Sequence, residues 1–214
     1  MENIRSRICR CGVIPAAVIE SEDIAVPVAE AMLAGGIDAL EITFRTPAAA
    51  DAIRAVSENC PDMLVGAGTV LNTSQCALAI DSGARFVVAP GFDPEVVEIC
   101  LERGVLPLPG CATSTEITAA LKTGLTLLKF FPAESSGGIK TVKALAGPFA
   151  HTGLKLVPTG GITPDNLEGY LSNPFVAAVC GTWLCPGSAL AAGNFGEITE
   201  LCRQARMIAD SARS

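Results

Sequence analysis

Leu127-Leu128-Lys129-Phe130-Phe131-Pro132-Ala133-Glu134 places one lysine inside an apolar run that begins at Leu125 and is halted by a proline. The run has the length of a strand and no polar alternation, the pattern of a parallel strand buried on both faces. Pro132 cannot donate to a ladder and ends it. An ammonium in such a place costs several kcal/mol unless it is paired or loses its proton. Desolvation favours the neutral amine, which is the nucleophilic form. Lys129 therefore reads as a Schiff-base nucleophile, and a strand-end lysine snorkelling to solvent is the alternative.

Working outward from that strand, similar runs recur along the chain, each followed by helix signals. Val13 to Ile19, Ile37 to Phe44, Met63 to Gly68, Arg85 to Ala89, Val105 to Leu108, Leu125 to Phe131, Leu154 to Thr159 and Val176 to Gly181 read as eight strands. The intervening helices carry their own punctuation: an N-cap at Ser21 with a stop at Gly35-Gly36, Thr46-Pro47, Asn72 or Thr73, Asp93-Pro94, and Thr113 or Ser114. Further helices are expected from Gly138 to Leu145, from Asp165 to Leu171 and from about Phe195 to Asp210. Alternation of this kind implies parallel strands joined by right-handed crossovers. Eight units favour a closed (β/α)8 barrel, the TIM barrel, over an open doubly wound sheet. Residues 1–214 then form a single α/β domain, with residues 1–12 an additional N-terminal helix plugging the barrel bottom.

Composition narrows the functional classes. Half of the residues are hydrophobic and 17% are charged, enough for a large core. The nine cysteines are odd in number, several lie in apolar runs (Cys100, Cys180, Cys202), and no signal peptide is expected before them. Reduced thiols in a cytoplasmic protein are expected. There is no CxxC pair and His151 is the one histidine, so a zinc site is not expected. No uninterrupted apolar stretch approaches the ~20 residues that span a bilayer. The net charge of −7 argues against a nucleic-acid partner. An anionic substrate must then be held by locally placed cations and backbone dipoles.

Polar residues gather where such a barrel keeps its chemistry, at the C-terminal ends of strands. In Glu41-Ile42-Thr43-Phe44-Arg45 the period of two puts Glu41, Thr43 and Arg45 on one face. A carboxylate, a hydroxyl and a guanidinium then face the barrel axis, either as a site or as an ion pair filling the interior. The same parity turns Leu127, Lys129 and Phe131 inward, so Glu41 and Lys129 meet across the mouth. Thr69, in phase with Ala67, is a ligand or a turn cap. Thr159-Gly160-Gly161-Ile162 and Cys180-Gly181-Thr182-Trp183 close the seventh and eighth strands. Glycines at those two places fit the recurrent barrel phosphate site, where bare N–H groups and a short helix N-terminus hold the anion. His151 reads as a surface residue. Trp183 and Phe131 read as packing that can line a pocket wall, Cys111 as a residue near the mouth without a basic neighbour, and Pro90-Gly91 first as a turn.

The segments Glu41-Ile-Thr-Phe-Arg-Thr, Val65-Gly-Ala-Gly-Thr-Val, Ala89-Pro-Gly, Lys129-Phe-Phe-Pro-Ala-Glu and Pro158-Thr-Gly-Gly-Ile together resemble the 2-keto-3-deoxy-6-phosphogluconate (KDPG) and 4-hydroxy-2-oxoglutarate (KHG) aldolases. The motifs run in order over nearly the whole chain. The resemblance implies a homotrimeric (β/α)8 barrel and a class I aldolase that needs no metal or other cofactor. Lys129 is the implied Schiff-base residue and Glu41 the proton shuttle. Arg45 and Thr69 fall at the substrate carboxylate, Pro90 and Phe131 shape the pocket, and Thr159, Gly160 and Gly161 belong to the substrate and phosphate region. Thr182 stands where the family often has serine; it keeps the hydroxyl and adds a methyl. The implied partner is a small phosphorylated keto acid, cleaved to pyruvate and glyceraldehyde 3-phosphate. The 4-epimeric galactonate substrate, a non-catalytic phosphometabolite-binding barrel and a cofactor-free epimerase or isomerase are the competing readings.

Overall fold

In the computed structural model, which describes residues 1–213, eight parallel strands alternate with helices. Ser214, the last residue of the expected domain, lies outside the described residues. The strands are β1 (Val13–Ala17), β2 (Ala39–Thr43), β3 (Leu64–Gly68), β4 (Phe86–Val88), β5 (Leu106–Leu108), β6 (Leu127–Phe130), β7 (Lys155–Pro158) and β8 (Val179–Gly181). The helices are α1 (Glu2–Cys11), α2 (Ala25–Ala34), α3 (Ala49–Asn59), α4 (Thr73–Asp81), α5 (Pro94–Glu102), α6 (Ser114–Lys122), α7 (Gly138–Ala146), α8 (Pro164–Leu171), α9 (Gly187–Ala192) and α10 (Phe195–Arg213).

The starts of α4, α5 and α6 follow side chains that satisfy free N–H groups, whereas α3 begins at Ala49 without a side-chain cap. Asn72 accepts from the Gln75 amide at 2.9 Å and Asp93 from the Glu95 amide at 2.9 Å. Thr113 and Glu116 form a reciprocal capping box at the start of α6. Ser21 departs from its expected role. A short 3-10 turn, Glu22–Ile24, intervenes before α2, and the Ser21 hydroxyl bonds the Asp23 carboxylate instead of the helix backbone. The helix α9 has no counterpart in the sequence reading, because Pro186-Gly187 looks like a turn and only six residues follow in helix.

The ladders form a six-stranded sheet, ordered β5-β4-β3-β2-β1-β8, and a two-stranded β6-β7 pair. One continuous eight-stranded ladder, as the sequence suggests, is not what the pairing gives. Isolated bridges join the two sheets: Gly110 with Lys129 on one side, Leu156 with Val176 and Thr159 with Cys180 on the other. Prolines thin the ladder at the first of these junctions. Pro107 and Pro109 carry no N–H, so β5 meets β6 through the Pro109 carbonyl, which accepts from the Lys129 amide at 3.0 Å, and the Cys111 amide, which donates to the Lys129 carbonyl at 2.8 Å.

Strand residues are buried on both faces, as parallel strands covered by helices must be; Leu40, Ile42, Phe86, Leu128 and Phe130 are fully enclosed. Truncating one of the aliphatic residues to alanine costs about 2–5 kcal/mol. All nine cysteines are free. Among the described residues no helix is long and apolar enough to cross a membrane. At the N-terminal ends of the strands, α1 is tied down by Arg5, which reaches Thr126, and by Arg7, which reaches Asp38 and the Asp62 carbonyl. The opposite ends carry the polar residues.

Candidate active site

The C-terminal end of β2 supplies the acid. Glu41 and Thr43 alternate with the buried Ile42 and share one face, and Arg45 continues that parity past the strand. The Thr43 hydroxyl donates to the Ala17 carbonyl at 3.1 Å and fastens β1 to β2 at this rim. Glu41 is 3% exposed, an unusual place for a carboxylate. Its Oε1 lies against the bare α-carbon of Gly68, where any Cβ would collide with the carboxylate. Its Oε2 accepts a hydrogen bond from the Cys180 thiol at 3.1 Å.

The amine comes from β6, where Lys129 is 6% exposed. Among the described residues its Nζ has no ion-pair partner, and it lies over the face of Phe131, 4.9 Å from the ring centroid. The backbone around it is fixed by β5 and β7, with Lys129 opposite Val157 in register. A cis peptide joins Phe131 to Pro132.

Two backbone features complete the rim. Thr69 has φ of 55°, the one non-glycine residue among those described with positive φ, so a β-branched side chain is held in a conformation it normally avoids. Gly160 and Gly161 have φ of 96° and 79°, in the region that glycine alone adopts freely. The amides of Gly160, Gly161 and Ile162 donate to no acceptor among the described residues. From below, the Ala133 amide donates to the Thr159 carbonyl at 2.8 Å and the Glu134 amide to the Gly160 carbonyl at 3.1 Å. The tail of the lysine motif thus holds the glycine turn in place. Tyr170 adds a hydroxyl bond to Glu134, and burial together with that carboxylate pushes the phenol above its ordinary range.

The ten residues assigned to catalysis or substrate binding line one cavity of about 270 Å³: Glu41, Arg45, Thr69, Pro90, Lys129, Phe131, Thr159, Gly160, Gly161 and Thr182. Ala16, Thr43, Ile162 and Gly181 complete the wall. Arg45 sits exposed at the mouth with no partner among the described residues, a cation free to meet an anion. Cys111 lies at the same rim, its amide bonded to the Lys129 carbonyl, but its buried side chain does not line the cavity. His151 is exposed on a 3-10 turn, as expected. Cys180 was not singled out, although it precedes Thr182 by two and shares its strand parity, the signal that would have found it.

An enclosed amine and an enclosed carboxylate in one cavity, with a free cation at the mouth and free amides opposite, suit addition of an amine to a carbonyl compound bearing anionic ends. Known proteins agree. A family profile described as "KDPG and KHG aldolase" matches residues 4–201. A 2-dehydro-3-deoxy-phosphogluconate aldolase of Treponema pallidum is 47% identical over 199 residues, covering 93% of this chain and 94% of its own. A KHG/KDPG aldolase of Escherichia coli is 44% identical over 194 residues, covering 90% of each. Among solved structures, the KDPG aldolase of Legionella pneumophila, with pyruvate captured at low pH as a covalent carbinolamine intermediate, superposes with a TM-score of 0.89 at 40% identity. That superposition covers 94% of this chain and 96% of the other. With the match running almost from end to end, this chain belongs to the KDPG and KHG aldolase family.

Proposed function

We propose that this aldolase, a carbon–carbon lyase, reversibly cleaves 2-keto-3-deoxy-6-phosphogluconate to pyruvate and glyceraldehyde 3-phosphate through an imine on Lys129. The observation that carries the reading is the enclosure of Lys129 and Glu41 in one cavity, the amine without an ion-pair partner among the described residues.

The neutral amine of Lys129 attacks the C2 ketone, giving a carbinolamine, and loss of water leaves a protonated imine. Glu41 takes the C4 hydroxyl proton, directly or through a water. The C3–C4 bond breaks, glyceraldehyde 3-phosphate leaves, and the bonding pair enters the imine system as an enamine. The protonated Glu41 then returns a proton to C3, and hydrolysis of the resulting pyruvate imine frees Lys129. One carboxylate serves every proton transfer because the transfers are successive. The protonated imine is itself the electron sink, so the cycle as written calls for neither a metal nor an organic cofactor.

Arg45 and Thr69 hold the substrate carboxylate at the mouth, and Pro90 and Phe131 set the width of the pocket. Thr159, Gly160, Gly161 and Thr182 take the phosphate end. Support for that assignment comes from the free amides of Gly160, Gly161 and Ile162 and from α8, which starts just beyond them at Pro164. The same lysine and carboxylate suffice for 4-hydroxy-2-oxoglutarate, giving pyruvate and glyoxylate, and the Escherichia coli relative's name favours that second activity.

For the fold we read the six-stranded and two-stranded sheets as one closed (β/α)8 barrel, with the bridges at Gly110–Lys129 and Thr159–Cys180 as its seams and α1 as its bottom plug. For the assembly we read a homotrimer working in the cytoplasm; the exposed Leu71, just before α4, and Leu78, on α4, offer it an apolar face. Reduction with borohydride in the presence of pyruvate tests the chemistry. The adduct mass is expected on the peptide containing Lys129, and an adduct on Lys155 or Lys143 in its place would reject the assignment.

A further inference from the structure

Glu41 has one hydrogen-bond donor among the described residues, and it is a thiol 139 positions away in sequence. Cys180 sits in β8, 2% exposed, beside Thr159 through an isolated bridge and beside Glu41 through its sulfur. The Sγ–Oε2 distance is 3.1 Å, and burial together with the neighbouring carboxylate raises the thiol well above its ordinary range, so the sulfur keeps its proton. The other oxygen, Oε1, lies over Gly68 and has no donor among the described residues. The two oxygens of one carboxylate are therefore in different situations.

We infer that Cys180 is a positioning residue for Glu41: its thiol donates to Oε2, fixes the carboxylate plane, and leaves Oε1 to accept and return the proton that the reaction moves. The inference rests on the proton role proposed for Glu41. A thiol suits this task because it is a weak donor. A cation on Oε2 would hold the carboxylate equally well but draw away the electron density that a base needs. Without any donor, an enclosed carboxylate beside bare Gly68 has nothing to choose one rotamer over another.

The partial reaction with pyruvate isolates the step. Pyruvate forms the imine on Lys129 with release of water, and the carboxylate of Glu41 removes a proton from the methyl carbon. The C–H electron pair then moves into the imine to give the enamine. In heavy water the resulting carboxylic acid exchanges its proton for a deuteron and returns the deuteron to carbon. Methyl deuteration followed by NMR thus reports proton transfer, while borohydride trapping on the same protein reports imine formation.

The variants are Cys180→Ala, Cys180→Val, which restores bulk without a donor, Cys180→Ser, which restores a donor, and Glu41→Gln as reference. Loss of one hydrogen bond from a weak donor to a charged group is expected to slow deuteration about three- to tenfold in the Ala and Val variants. Trapping on Lys129 is expected to stay within about twofold of the parent, which also shows that the variants fold. Cys180→Ser is expected to recover most of the lost rate. Parent-like deuteration in Cys180→Ala overturns the inference; so does a loss shared equally by deuteration and trapping, or one that valine repairs and serine does not. If Glu41→Gln itself deuterates pyruvate at the parent rate, the proton role of Glu41 falls first. If only the Cys180 variants behave like the parent, that role stands and the thiol is a bystander.

Discussion

Between Asn3, Arg7 and Arg85, at the N-terminal ends of β3 and β4, lies a cavity of about 250 Å³, and the one around Lys129 at the opposite ends measures about 270 Å³. In size they are nearly equal, but their charges are used differently. At the N-terminal ends Arg7 meets the Asp38 carboxylate at 2.7 Å and also bonds two backbone carbonyls. Elsewhere at the N-terminal ends, Lys155 at the start of β7 donates to the Pro174 carbonyl at 2.5 Å. One strand over, Lys129 has no such partner, and Glu41 has only a thiol. Charges that are saturated stabilise a fold; charges that are enclosed and left short of partners are available to a ligand. Arg85 at the N-terminal ends also lacks a side-chain partner among the described residues, but it is exposed and hydrated; enclosure without partners, not volume, separates site from scaffold.

Removing the amine should break that contrast most completely. Lys129→Ala is expected to abolish turnover and the borohydride adduct together, because no other lysine lines the cavity. Lys155→Ala, at the other end of the neighbouring strand, is expected to leave the adduct in place. Next in size, Glu41→Gln should still form the imine but slow turnover by roughly 10²–10⁴-fold, the contribution of a positioned general base. Single-turnover kinetics separate the two effects: imine formation near the parent rate with slow release of product is the expected pattern, and unchanged turnover rejects the proton role.

Gly68→Ala sharpens the same point without touching a charged group. The backbone at Gly68 has no positive φ, so alanine is conformationally acceptable there. Its Cβ would nevertheless occupy the space of the Glu41 Oε1, and the carboxylate must move. Turnover is expected to fall about 10- to 100-fold, the scale of a displacement near 1 Å, while trapping on Lys129 persists. Parent-like turnover would mean that Glu41 has a second productive position.

Much of this contrast was legible in the sequence. The recurrence of apolar runs and capping residues located all eight strands, and a period of two in Glu41-Ile42-Thr43 and Leu127-Leu128-Lys129 turned Glu41, Thr43 and Lys129 toward one cavity. Ladder pairing was less accessible. The sequence starts the eighth strand at Val176, but β8 begins at Val179, because Val176 bridges to Leu156 and the Ala177 amide donates to the Leu156 carbonyl at 2.9 Å, so this stretch pairs with β7 before β8 pairs with β1. Such a seam depends on how sheet curvature brings two strands together, which no local pattern encodes. The partner of Glu41 was hidden for a related reason. Cys180 sits in an apolar run where a cysteine passes for a small hydrophobe, and its contact exists only once β2 and β8 are brought to the same rim.

The smallest effect belongs to the N-terminal ends of the strands. Arg7→Ala removes an ion pair that is partly exposed, with side-chain exposures of 24% and 36%, together with bonds to the Asp38 and Asp62 carbonyls. Solvent screening keeps such a pair near the low end of the range, and the two carbonyls can turn to water, so about 1 kcal/mol of stability should be lost. For a domain of this length that corresponds to a fall in Tm of about 2–4 °C. Ile4 and Ile8 remain buried and keep α1 in place, so kcat and KM should not change. A loss of kcat with unchanged Tm would reverse the argument: it would mean that the N-terminal ends reach the imine through the strands, and that partnered and unpartnered charges do not divide the molecule as proposed.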